Sequence, residues 1–325
     1  MRKVFGITGL LLVVFTATAL QKPQFVSAYN LQNLIHWTAL FGIISIGAAF
    51  VIMTGGIDLS IGSVIGLVGS LLAWLLTQRG WSVPGTVAAS MTVAVAIGFA
   101  HGLLITKVRL QPFVVTLCGL LLYRGIARYV TKDESLGFGN TFEGLRQLAT
   151  GKIALTSQFS LTMPVMILAV IAVVAAVVLN RAVWGRHLMA VGRNETAARF
   201  SGINTDAVKI AAYVICATLA GVGGVLFSLD LNSVQPSGLG EFYELYAIAA
   251  AVLGGCSLRG GEGTIIGVIV GTAVMRVLYN AINILEIPTH VEFAIIGAVI
   301  LAGVTTDEVV KRIADRRRAL REAME

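Results

Sequence analysis

Long apolar runs alternate with short polar segments along most of the chain. Each run holds few charges and is about 20 residues long, the length that a helix needs to cross a hydrocarbon core of about 30 Å. The strict two-residue alternation of a membrane β-strand is absent from these runs. The pattern therefore predicts an all-α polytopic membrane protein. We predict ten spans, at about 4–20, 34–53, 57–77, 85–105, 113–130, 161–180, 208–229, 243–258, 264–284 and 289–304.

The first apolar run has two interpretations. Met1-Arg2-Lys3 precedes it and Ala17-Thr18-Ala19 ends it, a pattern that a cleaved signal peptide also has. Because nine further spans follow, we favour an uncleaved first helix. Cleavage would leave the orientation of the later spans unchanged.

Composition agrees with a protein that lives in lipid. Hydrophobic residues make up 56% of the chain and charged residues only 13%, against about 25% charged residues in a soluble domain. The net charge of +7 could indicate nucleic-acid binding. The charges, however, lie in the segments between and after the apolar runs, so membrane lipid rather than nucleic acid is the expected surrounding.

Lysine and arginine follow the alternation of the spans. Of the 24 such residues, fifteen fall in segments that alternation places on the side of the N-terminus, and five fall in the opposite segments. Because cytoplasmic loops are enriched in Lys and Arg, both termini are predicted to be cytoplasmic. We divide the chain into a transmembrane domain, 1–304, and a basic cytoplasmic tail, 305–325. The domain includes an outer loop at 131–160 and an inner loop at 190–204.

The chain lacks the common motifs of enzymes. It has no Gly-x-x-x-x-Gly-Lys-Ser/Thr phosphate loop, no nucleophile elbow and no His-Glu-x-x-His zinc motif. Cys118, Cys216 and Cys256 are odd in number and lack paired spacing, so they predict neither a disulfide framework nor a metal site. We expect no catalytic residue, no metal and no cofactor. Any transport would draw its energy from another chain or from an ion gradient.

The inner loop at 190–204 has the signals of a short, separate helix. Asn194 is a good N-cap, Glu195 suits the positive end of a first turn, and Gly202 is a natural C-terminal stop. Two small alanines would let a partner approach, and a phenylalanine would anchor it. Such a helix can dock into a groove of another subunit, although an ordinary connecting loop is the alternative. The residues assigned to this site are Gly192, Arg193, Asn194, Glu195, Ala197, Ala198, Phe200, Ser201 and Gly202.

Glycine clusters occur at two corresponding places in the chain. Gly55-Gly56 and Gly254-Gly255 each end an inward span, and a glycine-rich helix start follows each pair. Glycine-interrupted helices near a transport path are typical of transporters with internal repeats. Close helix packing by small residues is a compatible alternative. The residues in this group are Gly55, Gly56, Asp58, Ser60, Gly62, Gly254, Gly255 and Gly263.

Asp58 is an ionisable group at the presumed inner end of an interrupted span. Ionisable groups inside spans are costly and usually functional. We favour a structural role in which Asp58 caps the following helix through backbone N–H groups, and a role in the transport path is the alternative. Arg124 and Arg276 also fall inside predicted spans, where they could pair with Asp58 or Asp230.

Three separated motifs give the sequence a family resemblance. Residues 55–63, Gly-Gly-Ile-Asp-Leu-Ser-Ile-Gly-Ser, resemble the signature of permease subunits of ABC importers for simple sugars, the ribose, xylose and arabinose type. Residues 192–203 look like that family's Glu-Ala-Ala loop, from which they depart because Thr196 separates the glutamate from the two alanines. The glycine-rich run at 250–264 is similar to the family's late segment. The resemblance covers about 30–304.

The resemblance implies a complex in the bacterial inner membrane. Two permease subunits, either two copies of this chain or this chain and a sibling, would form the pathway. A cytoplasmic ABC ATPase would bind the loop at 190–204, and a periplasmic sugar-binding protein would deliver the sugar. The permease itself would perform no chemistry.

A pathway for a neutral sugar should offer amides, hydroxyls and aromatic faces rather than a fixed charge. Tyrosine and asparagine in spans are also common in plain helix packing. The candidate pathway residues are Tyr123, Phe227, Asn232, Tyr243, Tyr246, Tyr279, Asn280 and Asn283.

Two other functions remain open from the sequence. A permease for branched-chain amino acids would have a similar architecture, but its zwitterionic substrate would favour charge pairs in the pathway, and none is obvious. An ion-coupled secondary transporter would work without a partner for the loop at 190–204.

Overall fold

The chain folds as a bundle of long helices, in agreement with the predicted all-α class. The computed structural model describes residues 2–302, apart from 155, 157, 158 and 300, together with residue 305. The helices are α1 (Arg2–Gln21), α2 (Ala28–Met53), α3 (Ile61–Thr77), α4 (Val83–Thr106), α5 (Pro112–Thr131), α6 (Glu143–Thr150), α7 (Met163–Asn180), α8 (Val183–Arg193), α9 (Glu195–Phe200), α10 (Thr205–Leu231), α11 (Tyr243–Leu253) and α12 (Ile265–Ile284).

Short strands pair at one end of the bundle. Strand β1 (Leu136–Gly137) pairs antiparallel with β4 (Ser233–Val234), and β2 (Lys152–Ala154) pairs with β3 (Ser160–Thr162). Two single 3₁₀ turns lie at Pro23–Val26 and Thr289–Val291. The β1–β4 pair ties the long loop after α5 to the loop after α10.

Nine of the predicted spans coincide with apolar helices. Within the described residues, α2, α4, α5, α7, α10 and α12 are long and apolar enough to cross a membrane, and α3, α11 and residues 6–21 of α1 are shorter apolar helices. Residues 292–299 are helical, but part of the tenth predicted span and most of the basic tail lie outside the described residues. The number of ten spans and the orientation of the termini therefore remain predictions.

Helix α10 is the centre of the bundle. It packs against α2, α3 and α4. Helix α10 approaches α4 closely because Gly98 of α4 faces it. A Cβ at Gly98 would lie 2.6 Å from the Tyr213 carbonyl oxygen and 2.7 Å from the Val214 Cα. Small residues at such crossings bring backbones together and increase dispersion contact.

The two glycine pairs form the same backbone turn. Gly55 and Gly255 both have a left-handed backbone, with φ of +83° and +93°. The following N–H reaches back to the helix in each case, from Gly56 to the Val51 carbonyl at 3.2 Å and from Cys256 to the Ala251 carbonyl at 3.0 Å. These turns end α2 and α11. The internal similarity of the sequence thus corresponds to a repeated helix end.

The turns also correct two predicted span boundaries. The third span begins at Ile61 rather than at residue 57, because residues 56–60 are non-helical. The eighth span ends at Leu253 rather than at residue 258, because the glycine turn follows directly.

Contacts between loops join segments that the predicted alternation of spans places on the same side. Among segments assigned to the inner side, Lys107 pairs with Asp206 at 2.7 Å. Among segments assigned to the outer side, Ser160 donates to Gln32 at 3.2 Å, and β1 pairs with β4.

Candidate functional site

Helix α9 is capped at both ends by its own sequence. The Asn194 side chain accepts a hydrogen bond from the Ala197 N–H at 2.9 Å. At the other end, the Gly202 N–H donates to the Arg199 carbonyl at 3.0 Å, and Gly202 takes a left-handed backbone with φ of +82°. Because the caps satisfy backbone groups that a helix of six residues leaves open, they favour a short separate helix at this place.

Ion pairs fix α9 to the start of α10. Glu195 contacts Lys209 at 2.6 Å and Arg199 at 3.3 Å. Arg199 also donates to the Thr205 hydroxyl at 3.0 Å and lies 3.6 Å from Asp206. These groups are partly exposed, so each ion pair alone contributes little to the stability of the protein. Together they make α9 and the start of α10 one unit.

One side of α9 is open to a partner. Phe200 is 88% exposed and Ala197 is exposed. Ala198, in contrast, is buried at 5%. The expectation that both alanines face a partner therefore needs correction: Ala198 packs into the protein, and Phe200 with Ala197 forms the open side.

The chain just before α9 meets the end of α2 and the loop after the second glycine turn backbone to backbone. A Cβ at Gly260 would lie 2.7 Å from the Gly192 carbonyl oxygen and 2.8 Å from the Gly55 nitrogen. The Gly261 N–H donates to the Met53 carbonyl at 2.9 Å. We call these residues, Met53, Gly55, Gly192, Gly260 and Gly261, the glycine junction. It connects the α8–α9 segment to the C-terminal end of α2 and to the loop between α11 and α12.

Asp58 is buried and organises the turn before α3. One of its carboxylate oxygens accepts from the Ser60 N–H at 2.8 Å and from the Ser60 hydroxyl at 2.6 Å. Ser60 is the N-cap residue of α3. Asp58 thus holds the residue that begins the helix, and it pairs with neither Arg124 nor Arg276.

The segment before helix α11 is non-helical where a membrane span is expected. Helix α11 has 11 residues, so at about 1.5 Å per residue it spans roughly half of a hydrocarbon core. The segment 235–242 before it contacts the start of α3, where a Cβ at Gly66 would lie 2.9 Å from the Leu239 carbonyl oxygen.

Arg124 compensates the exposed backbone of that segment. Its guanidinium donates to the Leu239 carbonyl at 2.6 Å and to the Pro236 carbonyl at 3.0 Å. Arg124 lies about 18 Å along α5 from Pro112, near the middle of a core of about 30 Å. Irregular backbone at that depth needs such internal partners.

Four of the candidate pathway residues come together beside this segment. Phe227 and Tyr243 have ring centroids 4.8 Å apart, and Phe41 lies 5.3 Å from the first and 4.8 Å from the second. Tyr246 lies 5.9 Å from Phe41. Tyr279 joins through Arg276, whose guanidinium carbon is 4.6 Å from its ring. We call this group the aromatic cluster.

The other four candidates lie elsewhere. Tyr123 bonds to His101 at 2.8 Å, and Asn232 is the left-handed C-cap of α10. Asn280 exchanges hydrogen bonds with Asn30 at 2.9 Å. Asn283 donates to the carbonyl of its own helix at Tyr279, 2.8 Å away. None of the four contributes to the aromatic cluster.

Three members of the cluster, Trp37, Phe41 and Arg276, were not among the candidate pathway residues. Trp37 and Phe41 lie one turn apart on α2, with ring centroids 6.4 Å apart. Arg276 stacks over both rings, at 5.3 Å and 4.8 Å. The available signals were the i, i+4 aromatic pair in a mainly aliphatic span and the charge of Arg276 inside a span.

The family model described as the permease component of the branched-chain amino acid transport system matches residues 30–304. The chain belongs to this permease family. Its members are transport proteins, so the chain is a permease component and not an enzyme. Together with the apolar helices, the match indicates a multi-pass inner membrane protein.

Curated relatives match almost the whole permease. The ribose import permease protein RbsC of Escherichia coli K12 is 35% identical over 297 residues, 91% of each chain. RbsC of Bacillus subtilis strain 168 is 33% identical, over 94% of this chain and 93% of its own. The xylose transport system permease protein XylH of Escherichia coli K12 is 29% identical, over 94% and 91%. No solved structure matches the chain.

Proposed function

We propose that the chain is the membrane permease of an ATP-driven importer for a simple sugar, a monosaccharide. The observation that carries this proposal is the whole-length similarity to ribose and xylose permeases. The motif at 55–63 and the capped helix α9 support it, because they are the parts that the resemblance assigned to such importers. The family description also names branched-chain amino acids, and these are the substrate to test against.

ATP hydrolysis is coupled to transport through α9. A cytoplasmic ATPase docks on the open side of the helix, with Phe200 in a groove of its surface. When ATP closes the ATPase, α9 moves with the ion-paired start of α10. The glycine junction passes the displacement to the ends of α2 and α12, because backbone contacts cannot relax by changing a rotamer. The first turns of the helices that begin near the middle of the membrane then shift. The pathway opens alternately to the two sides of the membrane.

The remaining assignments follow from the same proposal. Both termini and α9 face the cytoplasm, and the strand pairs face the periplasm, where a sugar-binding protein docks. Two permeases, identical or sibling, form the pathway. Residues 305–325 form a basic tail on the cytoplasmic side.

Reconstitution of the permease with its ATPase and its binding protein in proteoliposomes tests the proposal. Labelled ribose, xylose and leucine are offered outside, with ATP or a proton gradient as the energy source. Uptake of ribose or xylose that requires internal ATP supports the proposal. ATP-dependent uptake of leucine alone would assign the amino-acid function, and gradient-driven uptake by the permease alone would assign a secondary transporter.

A further inference from the structure

Arg276 lies inside the bundle without a hydrogen-bond acceptor. Its guanidinium stacks on Trp37, Phe41 and Tyr279 at 4.6–5.3 Å. Within the part of the chain that the structure describes, its Nε is buried with no partner, and no hydrogen bond or ion pair involves its Nη atoms. The residue is half-buried. Several strong donors are therefore held in place and left unused.

This arrangement is costly unless something accepts those donors. A charged group in a membrane interior is expensive, and stacking on aromatic faces compensates only part of the lost hydration. The other intramembrane arginine of this region, Arg124, shows the usual solution, since two backbone carbonyls accept from it. Arg276 is held equally firmly but is not satisfied. No described residue accepts a hydrogen bond from its guanidinium, so water or a bound molecule has to accept from it.

The position of Arg276 fits a transported ligand. It lies about 16 Å along α12 from Ile265, near the middle of the membrane. Its cluster partner Tyr243 opens α11, at the end of the irregular segment 235–242. Sites at such helix starts near mid-depth are typical of transporters.

The neighbouring groups add hydroxyls and one carboxylate. Tyr243 and Tyr246 pack on Phe41, the ring on which Arg276 stacks, with ring centroids 4.8 Å and 5.9 Å away. Glu292, a carboxylate buried at 8%, is close enough to Arg276 to attract it. Asp230 is occupied by His36 at 3.1 Å. The polar groups beside the aromatic rings are thus the guanidinium N–H groups of Arg276, the tyrosine hydroxyls and one buried carboxylate.

We propose that Arg276 is the specificity-determining sugar-binding residue of the permease, a fixed charge where the sequence led us to expect none, with the rings of Trp37, Phe41 and Tyr279 holding its guanidinium in place. The forked N–H groups match two adjacent hydroxyl oxygens of a monosaccharide. Tyr243, Tyr246 and Glu292 bind further hydroxyls. This proposal rests on the proposed sugar import, and it names the residue inside the permease that recognises the sugar.

The test compares three variants in the reconstituted complex with its ATPase and binding protein. Arg276→Met removes the donors, and Arg276→Lys keeps the charge but loses the fork. Arg79→Met is the matched control, because Arg79 also stacks on an aromatic ring, Trp74, at 4.5 Å but lies at a loop end outside the cluster. Sugar uptake is measured per assembled complex, and assembly is measured by size-exclusion chromatography.

We expect Arg276→Met to lower uptake about 10- to 100-fold, as loss of charge-assisted hydrogen bonds does. Arg276→Lys should recover part of that loss, and Arg79→Met should match the wild type. Normal uptake by Arg276→Met would overturn the proposal while leaving sugar import intact. No uptake of ribose or xylose by the wild type would instead refute the proposed function.

A second measurement does not depend on the assembly of the variants. Ribose or xylose is titrated into purified wild-type permease while tryptophan fluorescence is recorded. Because Trp37 stacks on Arg276, the sugar should change the emission, and Trp37→Phe should abolish that change. An equal change in the Trp37→Phe variant, or none in the wild type, would also overturn the proposal. A response to leucine or acetate but to no sugar would show a carboxylate site instead.

Discussion

Phe200→Ala should weaken the docking of the ATPase without weakening the fold. A phenylalanine side chain can bury roughly 200 Å², so at 88% exposure about 175 Å² of Phe200 is free in the isolated chain. Covering half to all of that area at about 25 cal/mol/Å² is worth about 2–4 kcal/mol. The dissociation constant for the ATPase should therefore rise about 30- to 1,000-fold. The stability of the permease should change by less than about 0.5 kcal/mol, because the ring packs on little else.

The assay measures binding of purified ATPase to permease in nanodiscs, together with thermal unfolding of the permease. Tyr129→Ala is the matched control, because Tyr129 is also an aromatic residue with high exposure, 85%. It lies near the C-terminal end of α5 and not on α9. It should bind the ATPase as the wild type does. Equal binding by Phe200→Ala, or equal loss by Tyr129→Ala, would refute the argument that α9 is the docking element.

Two further substitutions test the connections behind that surface. Gly192→Ala places a Cβ against the Met53 carbonyl and the Gly261 backbone, an overpacking worth about 1–3 kcal/mol. It should lower the sugar transported per ATP hydrolysed, whereas Gly144→Ala, with open space for the Cβ, should not; an unchanged ratio would exclude the junction as transmitter. Asp58→Asn weakens its bonds to Ser60 by roughly 1–2 kcal/mol and should reduce folded protein in a membrane extract. A full amount of folded but inactive protein would instead move Asp58 into the pathway.

Features that depend on residues close together in the sequence could be predicted from the sequence. Asn194 and Gly202 cap α9 because capping involves groups only a few residues apart. Gly55 and Gly255 form equal turns for the same reason. The apolar runs predicted the membrane helices, because a helix in lipid satisfies its backbone within its own segment.

Features that depend on packing between distant helices were not readable. Trp37 and Arg276 meet only because α2 and α12 lie side by side, and hydrophobicity along the chain carries no information about that contact. The short helix α11 was predicted too long, because the apolar residues continue past the glycine turn at 254–255. Ala198 was expected to face outward, since its burial depends on how α9 leans on the rest of the protein.

The glycine junction has a consequence for the variation that related permeases can accept. Three stretches that are far apart in the chain touch there through their backbones, so Gly192, Gly260 and Gly261 cannot gain a methyl group unless a neighbour moves away. Compensating changes should therefore arise in pairs across these stretches. Arg193 is the natural place for the second change, since its flexible side chain borders Gly261 and can swing aside where a carbonyl cannot.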